Sequence, residues 1–120
     1  MKRVVLADHN TELRARLALS LATHEYEVVG EEGDGNLVID LVTQTAPDIV
    51  VVDLEMPEVG GLDALPALQA AAPDAAVVVY SANLSPIIRT AVERLGGWAV
   101  DKAHGVDALS QTMGQASPHS

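Results

Sequence analysis

The sequence predicts an α/β fold: a five-stranded parallel sheet, doubly wound as (βα)5, with helices on both faces. Three observations carry this. Short runs rich in β-branched residues alternate five times with segments of helical spacing. Three of those runs, "RVVLAD", "DIVVVD" and "AAVVVYS", are continuously apolar, as parallel strands covered on both sides are. The chain is 120 residues long, which suits one domain able to bury roughly two-thirds of its extended-chain surface. Right-handed crossovers between such strands then lay a helix on a face each time.

The elements follow in order. Strands are expected at Val4–Ala7, Glu27–Gly30, Ile49–Asp53, Ala76–Ser81 and Trp98–Asp101. Leu13, Leu17 and Leu21 recur at i, i+4, i+8 after Asn10 or Thr11, either of which can cap a first helix. Leu37, Val38, Leu41 and Val42 mark a second helix that stops before "TAPD", and Leu62, Leu65 and Leu68 a third that stops at Pro73. The fourth opens with Ser85 as cap and Pro86 at its first position, then runs to Gly96-Gly97. A weaker fifth stripe is Val106, Leu109 and Met113. Residues 1–116 read as the one domain and 117–120 as a small, polar, disordered tail.

Composition narrows the function. Hydrophobic residues make up 48%, which argues against disorder, and with no Phe the core must be aliphatic. A net charge of −10 repels nucleic acid and anionic lipid but suits a cationic protein patch or a divalent metal. There is no cysteine, so no thiolate nucleophile, disulfide or Cys-ligated metal. The apolar run in "MKRVVLADHN" is too short for a signal peptide, and no stretch is long enough to span a bilayer. The expectation is a soluble cytoplasmic domain.

Ligands of open α/β sheets bind beyond the carboxyl ends of the strands. Those ends carry Asp8-His9, Asp53, Ser81 and Asp101-Lys102, while the second strand runs into the turn "EEGDG". Ser81 lacks the G-x-S-x-G turn of a hydrolase nucleophile. The turn "DHNT" lacks the glycines of a phosphate-cradling or dinucleotide loop, and no hydroxyl-rich flavin loop stands there. Carboxylates with one Lys and one hydroxyl suit phosphoryl transfer. A carboxylate attacks phosphorus to give an acyl phosphate, a cation and the Lys offset charge, and the hydroxyl donates a hydrogen bond.

These residues resemble a known family. "VVVDLEMPEVGGLDAL" is similar to the D-x-x-M-P-x-x-x-G segment of response-regulator receiver domains, the phosphoacceptor half of two-component signalling. The likeness extends through "RVVLADHNTELRARLAL", "VVVYSA" and "WAVDK", and "VVGEEGDG" and "APDAAVVVYSA" look like the subgroup fused to helix-turn-helix output domains. The resemblance implies a three-layer flavodoxin-like fold and a signalling domain rather than a classical enzyme. It places the phosphoacceptor at Asp53, the phosphoryl-contacting Lys and hydroxyl at Lys102 and Ser81, and the first of an acidic pair at Asp8. Met56-Pro57 and Gly61 match the turn after the phosphoacceptor. The implied cofactor is Mg²⁺, held by Asp8, Asp53 and the backbone carbonyl of Glu55, whose side chain would reach over the site mouth. The implied partners are a sensor histidine kinase and, through the face of helix 4, strand 5 and helix 5, a second copy; no output domain is expected within these 120 residues.

Two departures stand out. His9 replaces the second acid of the pair, and imidazole matches Mg²⁺ poorly. Weak Mg²⁺ binding, another metal, or metal-independent behaviour follow as alternatives, and His9 itself reads as a solvated first-turn residue before a ligand. His24, His104 and His119 read as surface residues. Three positions before Lys102, where the family has an aromatic switch, stands Ala99, with Trp98 one residue earlier. Either Trp98 serves by a one-residue slip or the aromatic partner of the Ser81 switch is missing. A receiver-like interaction module that works without phosphate or Mg²⁺ is the alternative function. A haloacid-type phosphatase ranks below both, because Glu55 stands where it needs a second Asp.

Overall fold

The structure, a computed structural model, describes residues 1–56, 58 and 61–118. Pro57 of the expected turn, and His119 with the end of the expected tail, lie outside the described residues. Among the described residues the order is β1 (Lys2–Ala7), α1 (Thr11–Thr23), β2 (Tyr26–Glu32), α2 (Val38–Thr45), β3 (Ile49–Val52), α3 (Ala64–Ala71), β4 (Ala76–Ser81), α4 (Pro86–Arg94), β5 (Trp98–Asp101) and α5 (Gly105–Gln115). All neighbouring strands pair in parallel, in the order β2-β1-β3-β4-β5.

The apolar strands divide their side chains between two cores, as the two-residue period of a strand requires. Val5, Ala7, Val50, Val52, Val77 and Val79 pack with Val38, Val42, Leu65, Leu68 and Val92, so α2, α3 and α4 cover one face. Val4, Leu6, Ile49, Val51, Val78 and Tyr80 pack with Leu17, Leu21, Leu109 and Met113, so α1 and α5 cover the other. The expected three layers and doubly wound sheet are present.

Helix ends follow local chemistry. Asn10, rather than Thr11, caps α1 by accepting from the Leu13 N–H, and Ser85 accepts from the Ile88 N–H with Pro86 just inside α4. Leu62 belongs to a 3₁₀ turn over Gly61–Asp63 that leads into α3. Strand limits shift slightly: β3 stops at Val52, leaving Asp53 just past its tip, and β2 runs on to Glu32. The β1–β2 register jumps from Val4↔Val28 to Val5↔Gly30, so β2 carries an extra residue at Val29. That irregularity has no sequence signature.

Candidate functional site

Register places the site. Ala7 lies opposite Val52, so the next residues, Asp8 and Asp53, leave adjacent strands at the same level. Parallel neighbours are about 4.8 Å apart, which sets two carboxylates side by side at the switch point between β1 and β3, where the connections diverge to opposite faces. Ser81 lies opposite Asp101, which sends Lys102 out of β5 at that same edge. Asp8 and Asp53 are 4% and 1% exposed, and burying them together costs charge repulsion unless a cation intervenes.

Lys102 is that cation. Its Nζ donates to Asp8 Oδ2 at 2.7 Å and to Asp53 Oδ2 at 2.8 Å. The other Asp53 oxygen, Oδ1, accepts from the Ser81 hydroxyl and from the Glu55 N–H, both at 2.8 Å. Burial pushes the Asp53 carboxyl up, but the hydrogen bonds from Lys102, Glu55 and Ser81 outweigh it and hold it below the usual carboxylate range. Burial likewise pulls the Lys102 ammonium down, and its bonds to Asp53 and Asp8 overcome this to raise it. Asp53 therefore stays an anion in a pocket that almost excludes water.

The Ser81 oxygen also accepts from the Leu54 N–H at 3.0 Å, tying the loop after β3 to the tip of β4. Beside it opens a cleft of about 200 Å³ lined by Glu55, Leu62, Ser81, Asn83 and Ile88, among others. The Glu55 contact given to Asp53 is through its amide N–H, while its carbonyl was the group expected at a metal.

Two positioning residues were not expected. Arg14 on α1 donates to the Asp8 carbonyl oxygen, fixing the backbone at the first carboxylate. Asp101 accepts from Leu84 N at 3.0 Å and Ala103 N at 2.9 Å, lashing the loop after β4 to the start of the turn that carries Lys102. The Asp101 signal was available: an Asp at a strand end two residues before a turn amide is a common side-chain cap.

The register and packing of β5 place Trp98 and Ala99 on opposite faces. The β4–β5 register is continuous from Val78↔Trp98 to Ser81↔Asp101, so Ala99 holds the position three before Lys102. Trp98 packs with the α1 and α5 core, whereas Ala99 packs on the α4 side. The indole N–H donates to the Ser117 carbonyl at 3.3 Å. Arg89 of α4 donates to the Ala99 carbonyl at 2.9 Å.

Among the described residues one group can hold a metal: ligand atoms of Asp8, His9 and Asp53 all lie within 4.8 Å of one another. The imidazole Nδ1 stands 3.9 Å from Asp8 Oδ1, and its side chain is 57% exposed. Two donors are hard carboxylates that suit Mg²⁺; the third is an imidazole that does not, so the set as a whole departs from an all-oxygen Mg²⁺ site.

A buried anionic Asp, a Lys, a Ser and a second Asp stand together at one sheet edge. The family model of the response regulator receiver domain matches residues 4–113. This chain is a response regulator receiver domain. The receiver is 40% identical over 63 residues to the transcriptional regulatory protein PdtaR of Mycobacterium tuberculosis, covering 52% of the chain but only 31% of PdtaR. It is 35% identical over 81 residues to the chemotaxis protein CheY of Thermotoga maritima, covering 68% of each. In fold, the receiver superposes on a LuxR-family response regulator from Aurantimonas with a TM-score of 0.87, at 24% identity over 96% of this chain and 84% of the other. No helix among the described residues is long and apolar enough to cross a membrane.

Proposed function

We propose that this receiver accepts a phosphoryl group on Asp53 from the phosphohistidine of a sensor kinase. The observation that carries the reading is the position of Asp53: buried, held as an anion, and flanked by the Lys102 ammonium and the Ser81 hydroxyl. An Asp53 oxygen would attack phosphorus as the phosphorus–nitrogen bond breaks. The bonding pair stays on the leaving imidazole nitrogen, which takes up a proton, and an acyl phosphate remains on Asp53. Lys102 would offset charge on the phosphoryl oxygens.

Ser81 would then turn its hydroxyl to the phosphoryl group, giving up its bonds to Asp53 Oδ1 and Leu54 N. That exchange alters the loops after β3 and β4 and so reaches the α4–β5–α5 face. With Ala99 in place of an aromatic, Ser81 is the switch residue, and the signal would pass through the loop that Asp101 anchors. The face would bind a second copy, an output domain or another protein. The acting unit is residues 1–116, working in the cytoplasm. Nucleic acid is no direct partner at a net charge of −10.

The alternative of an interaction module that works without phosphate gains no support from the relatives described, which are regulators of the phosphoaccepting family. The test is incubation with acetyl phosphate and each of several divalent ions, followed by intact-mass measurement. One added phosphoryl group, lost in Asp53→Ala, is expected. No incorporation under any ion would sink the reading.

A further inference from the structure

The cation donor set differs from what the family implies, and the difference has a direction. Lys102 occupies Oδ2 of both Asp8 and Asp53. The other Asp8 oxygen, Oδ1, accepts the Asn10 N–H at 2.9 Å and keeps a lone pair on the side of the His9 imidazole, whose Nδ1 is 3.9 Å away. Asp8, Asp53, Lys102 and a neutral His9 sum to a formal charge of −1, where a second acid at position 9 would give −2. Mg²⁺ depends on hard, charged oxygens and gives up its waters reluctantly, so it loses from this exchange. A borderline dication gains a nitrogen donor, and affinities for such mixed sites rise from Co²⁺ through Ni²⁺.

We propose that Asp8, His9 and Asp53 form a mixed nitrogen–oxygen cation site that takes a borderline transition-metal dication in preference to Mg²⁺. His9 is a ligand, not merely a solvated first-turn residue. Its exposure leaves the ring free to rotate and lets the ion enter from solvent, while the buried carboxylates stay fixed. The proposal rests on the phosphoacceptor reading insofar as the cation would act where the phosphoryl group arrives.

The experiment is calorimetric titration of the full chain with Co²⁺ and with Mg²⁺ at pH 7.5, without phosphodonor, alongside the Co²⁺ absorption spectrum. Variants are His9→Asp, His9→Ala and, as a control for the other imidazoles, the triple change His24→Gln, His104→Gln and His119→Gln. Co²⁺ is expected to bind wild type at least about tenfold more tightly than Mg²⁺, the scale on which changes around a metal act. His9→Asp and His9→Ala should each shrink that preference, and the control should keep it. Thermal melts confirm that the variants fold, as substitution at an exposed position allows. Equal binding of both ions by wild type, or a Co²⁺ preference left unchanged by His9→Ala, overturns the proposal. Acetyl phosphate labelling separates the two readings. Labelling with no Co²⁺ preference sinks the metal site alone, and a His9-dependent Co²⁺ preference without labelling under any ion sinks the phosphoacceptor alone.

Discussion

Lys102 and Asp53, 49 residues apart, meet at 2.8 Å across the carboxyl edge of the sheet. The same ammonium holds Asp8, so one cation stands between two nearly buried carboxylates. Removing it leaves like charges facing each other, whereas removing one carboxylate leaves a matched pair. Lys102→Met should therefore destabilise the fold by about 1–3 kcal/mol at neutral pH, more than Asp8→Asn does. Urea unfolding of the two variants side by side checks the order.

The same contacts fix a pH window. Asp53 has a folded value below its ordinary 3.8, so its stabilisation is present above that value and is lost as pH falls through the folded one. Lys102 has a folded value above its ordinary 10.5, so its share is present below 10.5 and is lost as pH rises beyond it. Stability from this pair should be flat between roughly pH 4 and pH 10 and fall outside. In Asp53→Asn the acid limb should shrink. Urea midpoints measured across pH give the answer.

Gly97 is wedged where α3 and α4 meet β5. An added Cβ would lie 2.9 Å from Leu65 Cδ2, 3.0 Å from Val92 Cγ1 and 3.3 Å from the Val92 carbonyl oxygen. Leu65 and Val92 are fully buried and have little room to give. Gly97→Ala should cost about 1–3 kcal/mol by overpacking, while Gly114→Ala, with nothing within 4 Å, should cost nothing or stabilise α5 slightly. Thermal melts distinguish the two.

Asp101 accepts the Leu84 and Ala103 amides, and those two bonds hold its carboxyl below the ordinary range. Asp101→Ala should free the loop after β4 without opening the sheet. Hydrogen exchange at Leu84 and Ala103 should quicken as their local protection is lost, while Val78 and Val79 keep theirs. Uniform acceleration would show that Asp101 instead supports the whole fold.

Much of this was legible because burial writes itself into residue type. Strands covered on both faces must be apolar throughout, and "VVVD" or "VVVYS" can hardly be read otherwise. Asp53, Ser81 and Lys102 were legible because strand ends converge on one edge by topology alone. The extra residue at Val29 was not, since a bulge changes register without changing composition. Arg14 was also hidden: it acts on a backbone carbonyl from one turn into a helix, and any Arg on a leucine-striped helix reads as solvated. Trp98 and Ala99 needed the observed register, because a one-residue slip exchanges the two faces of a strand.

The indole of Trp98 leans on the carbonyl of Ser117, at the end of β5 remote from Lys102. Four residue steps along the strand, about 13 Å, separate it from Lys102. The single tryptophan is thus a built-in optical label for the seating of the segment after α5. Its emission should follow whatever is joined to or docked at that end, and a phosphodonor could change it only by a movement conducted along the length of the strand.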